Sequence, residues 1–389
     1  MQTSSPNILP TVIRLESLAD MAKAEATWRQ LDRITTAPFV WFQSFEWCYN
    51  WMRHHGGAHC QPLVFMLKDS EEATALLPLM RVKSRLGLIK LRVLGDPHTQ
   101  YANILTRAPV LDHDSRTALR HVLAHEPGLD QAVFNMVPEA SALAQVLAGD
   151  RPLTKLANFA SQLDLTRFGG PDAYDASVGK KTARNLRRAM RQLEEIAPVR
   201  LNAIRPADPA FPNLVERCLT MKTTWLEQTG RMSSGLSHAS HGQFLSAMQS
   251  AGGDGPLAFA LMLGNKPIAI ELGFLQRGHY YAYIGAFAWN LRNLSPGKLQ
   301  MHMSIRWLIG AGVKTLDLLG NPADYKQHYA NRHTALASYV MAPTLRGRIY
   351  TRLWTSFARP AVKTLFHRLP EPWRISMHVI RKLEYNFIA

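Results

Sequence analysis

A chain of 389 residues is longer than one ordinary hydrophobic core organises, so two domains are expected, and 47% hydrophobic residues are enough to fill both. The formal net charge of +16 favours polyanions as partners: nucleic acid, acidic lipid headgroups or anionic substrates. Three scattered cysteines, Cys48, Cys60 and Cys218, exclude a disulfide framework and a CxxC zinc site, and neither an export leader nor a run of about eighteen apolar residues is present, so a reducing, cytoplasmic location is expected.

In chain order, Val12-Ile13-Arg14-Leu15 reads as a short strand, and Leu18, Met21, Ala22, Trp28 and Leu31 then recur at helical spacing. Aromatics crowd the stretch from Pro38 to Trp51, where Ser44 is a ready N-cap for a helix running from Phe45 to the Gly56-Gly57 turn. Strands are predicted over Pro62 to Leu67, Ala73 to Val82, Leu88 to Leu94 and Gln131 to Val137. This alternation implies a mixed α/β domain over residues 1–165. A further strand from Ala157 to Leu165 is punctuated by Gly169-Gly170-Pro171-Asp172, which marks the passage to a second domain, 166–344.

That domain opens on a helix bearing Lys180, Lys181, Arg184, Arg187, Arg188 and Arg191, followed by helices near Asn213 to Gln228 and Gln243 to Gly252 with a Gly/Ser/His-rich loop between them. Pro256 to Leu263, Lys266 to Leu275 and His279 to Phe287, joined by Gly264-Asn265 and Arg277-Gly278, form an antiparallel meander. The loop Asn293-Leu294-Ser295-Pro296-Gly297-Lys298-Leu299-Gln300 leads into an amphipathic helix, which ends at Gly310-Ala311-Gly312 before a buried-type strand, Thr315 to Leu319. There is no internal repeat of solenoid period. The tail 345–389 sets Trp354, Phe357, Leu365, Phe366, Trp373 and Ile380 among Arg and Lys, with Pro360, Pro370 and Pro372 cutting it into short helices. It is read either as a surface for peripheral contact with an anionic inner membrane or as an extension packed on the catalytic domain.

Chemistry-bearing residues concentrate in the second domain. A loop between a strand and a helix N-terminus offers backbone N–H groups and the positive end of the helix dipole, which suit a phosphate or pyrophosphate; Asn293, Ser295, Pro296, Gly297 and Lys298 are the cofactor-binding candidates, the plainer reading being a capped helix start. Glu271 sits among apolar strand neighbours, so it is paired, protonated or facing a cleft, and it is the candidate general base; the alternative is a solvent-facing residue of an edge strand. Strand alternation puts Tyr281 and Tyr283 on one face and Tyr280 on the other, with core filling as the plainer role. Asp317 and Lys326 flank a strand end, where ligand sites of α/β proteins gather. The stripe of Lys180, Arg184, Arg187, Arg188 and Arg191 is either a solvated face or the seat of an anionic or phosphorylated sugar-type acceptor. His54, His55, His59 and Cys60 lack a second ligand set at matching spacing, so no metal is expected.

The meander, the Ser295-Pro296-Gly297 loop opening a helix, Asp317-Leu318-Leu319-Gly320 followed by Tyr325-Lys326, Phe42-Gln43-Ser44-Phe45-Glu46-Trp47 and Arg184-Asn185-Leu186-Arg187-Arg188 together resemble the CelD-like GNAT-type acyltransferases associated with cellulose and exopolysaccharide synthesis. The resemblance covers about residues 10 to 340 and extends distantly to the FemABX aminoacyltransferases. It implies a tandem GNAT-like fold whose second half carries the cofactor cleft, acetyl-CoA or another acyl-CoA as donor, a tyrosine such as Tyr283 protonating the leaving thiolate, and Lys326 contacting substrate. The commoner form of the family's phosphate loop has more glycines than the single Gly297 found here. The implied activity is acyl transfer to an amine or hydroxyl of a sugar or polysaccharide precursor. The alternatives are aminoacyl transfer from charged tRNA and a non-catalytic basic membrane or nucleic-acid adaptor.

Overall fold

The computed structural model describes residues 10–353, apart from Arg85, residues 149–157, Met232, Ser234, His238, Ala239, Ala251, Asn321 and Pro322. The expected amphipathic tail therefore lies outside the described residues from position 354 on. Two compact units are formed, one from the described parts of Met1–Asn158 and Ala335–Arg368, the other from Phe159–Thr334. No helix among the described residues is long and apolar enough to cross a membrane.

In the first unit β1 (Thr11–Leu15), β2 (Cys60–Asp69), β3 (Glu72–Lys83) and β4 (Ile89–Val93) pair antiparallel in sequence order, with the short β5 (Leu105–Thr106) also on β3. β6 (Leu129–Pro138) joins β4 in parallel, and the late strand Arg332–Met341 closes on β6 antiparallel. Helices α1 (Leu18–Lys23), α2 (Glu25–Ile34), α3 (Phe45–His55), α4 (His113–Ala124) and α5 (Ala142–Val146) complete the layers around a core that includes Leu63, Phe65, Leu77, Leu91 and Phe134. The aromatic run is core material: Ser44 caps α3 by accepting from the Trp47 amide at 3.2 Å, and Trp28, Phe42, Trp47 and Tyr101 are fully buried. Such a cap contributes about 1 kcal/mol.

The second unit has the same strand pattern. After β7 (Asn158–Asp164), β8 (Val199–Ile204), β9 (Gly255–Leu263), β10 (Lys266–Gln276) and β11 (His279–Phe287) pair antiparallel in order, β12 (Thr315–Asp317) joins β11 in parallel, and β7 closes on β12 antiparallel. The mixed α/β organisation expected from the alternation of elements is the one observed. α6 (Pro171–Ser177), α7 (Lys180–Glu194), α8 (Phe211–Gln228), α9 (His241–Ala247), α10 (Pro296–Gly310) and α11 (Asp324–Tyr329) surround this sheet. On one face Ile305 and Leu308 of α10 pack with Leu257, Phe259, Tyr280 and Leu316. On the other, Phe211 and Val215 of α8 share a small cavity with Leu272 and Phe274. α7 is held by Leu193, buried against Leu261, Ile268 and Leu299, while its Lys and Arg residues stay exposed.

Candidate active site

β11 and β12 run together for only three residues, His279 to Tyr281 against Thr315 to Asp317. The chain beyond Asp317 stays with β7, the Leu318 amide donating to the Ser161 carbonyl at 2.9 Å. Ala282 to Phe287 of β11 thus keep β10 as their strand partner among the described residues, and a wedge opens between them and Leu318-Leu319-Gly320. Backbone groups along parting strands need water or a ligand, which makes the wedge the natural point of insertion into the sheet.

Glu271 lies on β10 opposite Gly285 and is 3% exposed, so the solvent-facing alternative is excluded. Burial pushes its carboxyl up to about 7, overcoming the opposite pull of the Tyr280 hydroxyl and the Gln300 amide. Oε1 accepts no hydrogen bond among the described residues. A carboxyl that titrates near neutrality and keeps an acceptor oxygen unused is suited to taking a proton.

Tyr283 is not brought to Glu271. The register shifts so that Gly273 faces Ala282 and Leu272 faces Ile284, which makes Tyr283 the extra residue of a bulge. Its ring meets Phe274 at 5.3 Å and His241 at 6.3 Å between centroids, on the α8 side. Glu271, directly opposite Phe259 in the β9 register, faces the α10 side, where the Phe259 and Tyr280 rings meet at 5.4 Å. Residues of a strand share a face only at even separation, so the sheet stands between Glu271 and Tyr283. The tyrosine beside Glu271 is the fully buried Tyr280, whose single hydroxyl proton is shared between the Glu271 carboxyl and the Leu257 carbonyl, the latter at 3.3 Å.

Two more tyrosines stand within electrostatic reach of Glu271. Crowding by surrounding protein atoms first, and then the charge of Glu271, raises the hydroxyl pKa of both Tyr325 and Tyr329 on α11, even though much of the Tyr325 side chain remains open to solvent. Their i, i+4 spacing places them on one side of that helix, and Tyr325 is 56% exposed. Tyr325 stands out in the sequence only as part of the Tyr325-Lys326 motif and Tyr329 belongs to no motif, although their i, i+4 spacing is visible there.

Asp317 is wholly buried. Its Oδ1 accepts from the Leu319 amide at 2.7 Å, where the backbone is left-handed (φ 66°), and its Oδ2 lies 3.3 Å from Gln162 Nε2 and 3.1 Å from His279 Nε2. It secures the turn that leaves β12. Lys326 Nζ donates to the Leu319 and Gly320 carbonyls at 3.3 and 2.7 Å, on the wall of the wedge. Burial brings its pKa down to about 8 despite the pull of Asp317.

The phosphate-loop candidates lie at the start of α10. A 3-10 turn over Trp289–Leu294 leads to Ser295, which is left-handed (φ 53°) and makes no side-chain cap. The expected convergence of several free amides is corrected here: the Lys298 and Leu299 amides donate to the Ser295 carbonyl at 3.1 and 3.2 Å, and Pro296 has none. Gly297 supplies the one first-turn amide without a backbone acceptor among the described residues. Asn293 and Lys298 are exposed beside it. Lys180, Arg184, Arg187 and Arg188 are exposed on the neighbouring α7, whose Leu186 and Met190 pack with Leu291 and Leu294.

Residues 180–327 match the family profile of the acetyltransferase (GNAT) domain, a span that contains Glu271, the start of α10, Asp317 and Lys326. No curated protein matches the chain. Among solved structures it is similar to FemX, at 10% identity over 88% of this chain and 99% of that one with a TM-score of 0.60. It is also similar to the C-terminal domain (DUF2156) of a putative lysylphosphatidylglycerol synthetase from Agrobacterium fabrum, at 11% identity, 86% and 96% coverage and a TM-score of 0.53. A tandem GNAT protein from the clavulanic acid biosynthesis pathway aligns at 12% identity, 86% and 99% coverage and a TM-score of 0.48. At these identities the first two likenesses show the fold. Together with the domain match and the repeated strand pattern, they give the chain a tandem GNAT-like fold, with the acetyltransferase (GNAT) domain match falling in its second unit.

Proposed function

We propose that the second unit transfers an acyl group from acyl-CoA, acetyl-CoA being the first donor to test, to an amine or hydroxyl of a sugar or polysaccharide-precursor acceptor. The observation that carries this reading is the buried Glu271, its carboxyl held near 7 and one oxygen unused, beside strands that part. The donor supplies an activated thioester. Glu271, through a water ordered at Oε1, takes the proton of the acceptor amine or hydroxyl as that nucleophile bonds to the acyl carbon. The carbon–sulfur bond breaks, and the departing thiolate takes a proton from Tyr325, the exposed tyrosine within reach of Glu271. The Gly297 amide, with Lys298 and Asn293 at the start of α10, holds the donor's pyrophosphate. The exposed cations of α7 assist an anionic ligand next to it.

Acetyl-CoA at about 100 times its Kd would stabilise the protein by about 2.7 kcal/mol, read as a rise in melting temperature. Glu271→Gln should keep that rise while lowering kcat by about 100-fold or more, and wild-type kcat should climb as pH passes about 7. No shift with acyl-CoA but a salt-sensitive one with tRNA would sink this reading in favour of aminoacyl transfer. We also place the chain in the cytoplasm with its tail against the inner membrane; flotation with anionic liposomes that survives removal of residues 345–389 would reject the anchor.

A further inference from the structure

Three cations from two distant parts of the chain, Lys222, Arg231 and Lys326, gather at the wedge. Lys222 Nζ donates to the Gly285 carbonyl at 3.2 Å, on the half of β11 that borders the opening. Its ammonium stands 4.5 Å from the centroid of the Trp225 ring, and the Arg231 guanidinium stands 5.0 Å from the same indole. Lys326 holds the carbonyls of Leu319 and Gly320 on the other wall. Burial lowers the pKa of both lysines; on Lys326 the attraction of Asp317 opposes it and the charge of Lys222 adds to it, so the two ammonium groups feel each other. Among the described residues none of Lys222, Arg231 and Lys326 has an ion pair with a carboxylate. Lys222 and Arg231, held on a neutral carbonyl and an aromatic face and repelling one another, with Asp317 acting through space on Lys326, gain from an anion placed between the three cations.

We propose that Lys222, Arg231 and Lys326 form the seat for an anionic group, a carboxylate or a phosphate, carried by the acceptor. This rests on the acyltransferase reading above. Donor and acceptor then approach from different sides: the donor seat is on α10, and the cation seat opens on the face covered by α8. The anion positions the acceptor; its amine or hydroxyl reaches into the wedge toward the Glu271 side. Selectivity for an acidic acceptor would accordingly reside in Lys222 and Arg231, and the stripe on α7 would not be required for it.

Calorimetric titration of the full chain with glucosamine, glucosamine 6-phosphate and muramic acid tests this, because the three share an amino sugar and differ in bearing no anion, a phosphate or a carboxylate. The expected result is that at least one anionic probe binds about tenfold or more tighter than glucosamine, that Lys222→Met removes the margin, and that Lys222→Arg restores most of it. The anion preferred identifies the source chemistry. Arg231→Gln, at an exposed position, gives a second variant should Lys222→Met fold poorly, and it should reduce the margin as well. Equal affinity of the wild type for all three probes, or a margin untouched by Lys222→Met and Arg231→Gln, overturns the seat. Acetyl-CoA titrated into the same samples reads the donor reading separately: anion selectivity that depends on Lys222 in a protein that ignores acetyl-CoA would keep the seat and sink the proposed donor.

Discussion

Replacing Glu271 with Gln should make the protein more stable at alkaline pH and remove a slope from its pH dependence. The carboxyl has an ordinary value of 4.5 and is raised to about 7 in the folded chain. Between those values the unfolded chain gives up this proton while the native chain keeps it, so the native state binds more protons and stability falls as pH rises through the window. At about 1.4 kcal/mol for each pH unit, a window of about 2.5 units costs the wild type about 3–4 kcal/mol by the time pH passes 7, and the cost then levels off. Glutamine fills nearly the same volume, can accept from Tyr280 and Gln300, and does not titrate. Urea denaturation at pH values from about 5 to about 8 should therefore show the Glu271→Gln advantage growing by up to about 3 kcal/mol across the range. Parallel curves for the two proteins would refute the argument that burial sets the state of this carboxyl.

Lys326 gives the opposite sign. Its pKa is lowered from 10.5 to about 8, so between those values the unfolded chain holds the proton that the native chain has lost, and wild-type stability should rise with pH over that window; Lys326→Met should abolish the rise in the same denaturation series. Gly273→Ala should destabilise by about 1–3 kcal/mol, because a Cβ there would run into the Tyr280 ring and come within 2.6 Å of the Tyr281 carbonyl; an unchanged melting temperature would refute that packing. Gly297→Ala should leave stability within about 1 kcal/mol, since its Cβ would meet Phe287 at 3.3 Å and that side chain can give slightly, yet it should raise the Kd for acetyl-CoA several-fold by crowding the free amide. Unaltered acetyl-CoA affinity would move the donor's phosphates elsewhere.

Elements whose burial follows one period were legible in the sequence. The meander appears as β9, β10 and β11 within a residue or two, because its apolar runs end at the Gly264 and Gly278 turns, both left-handed. Glu271 was also legible, since an acid with isoleucine and leucine on either side of it has few alternatives to a special environment. β8 was not: Val199-Arg-Leu-Asn-Ala-Ile is partly polar and only half-buried, so neither strand alternation nor a continuous apolar run stands out. Arg332–Met341 hid for a similar reason, its residues being mostly half-buried and its partner β6 about two hundred positions earlier. The pairing of Glu271 with Tyr280 rather than Tyr283 depends on a one-residue bulge, which side-chain alternation cannot register. The cations at the wedge escaped because Lys222, Arg231 and Lys326 belong to different parts of the chain, and only the fold places their charges on one opening.

The strand Arg332–Met341 makes the first unit dependent on a segment that follows the second unit in sequence. Its sheet closes on β6 only after the residues of the second unit have left the ribosome, so the first unit emerges with an open edge along β6 until residue 341 has been made. The second unit has the reverse arrangement, its closing strand β7 being made before the rest of its sheet. A fragment cut to residues 166–344 would lose β7, and one ending before Arg332 would leave β6 exposed to intermolecular pairing. Expression trials should therefore show the full-length chain soluble and both truncations prone to aggregate, and a chaperone requirement, if one exists, should fall on the interval between translation of β6 and of residue 341.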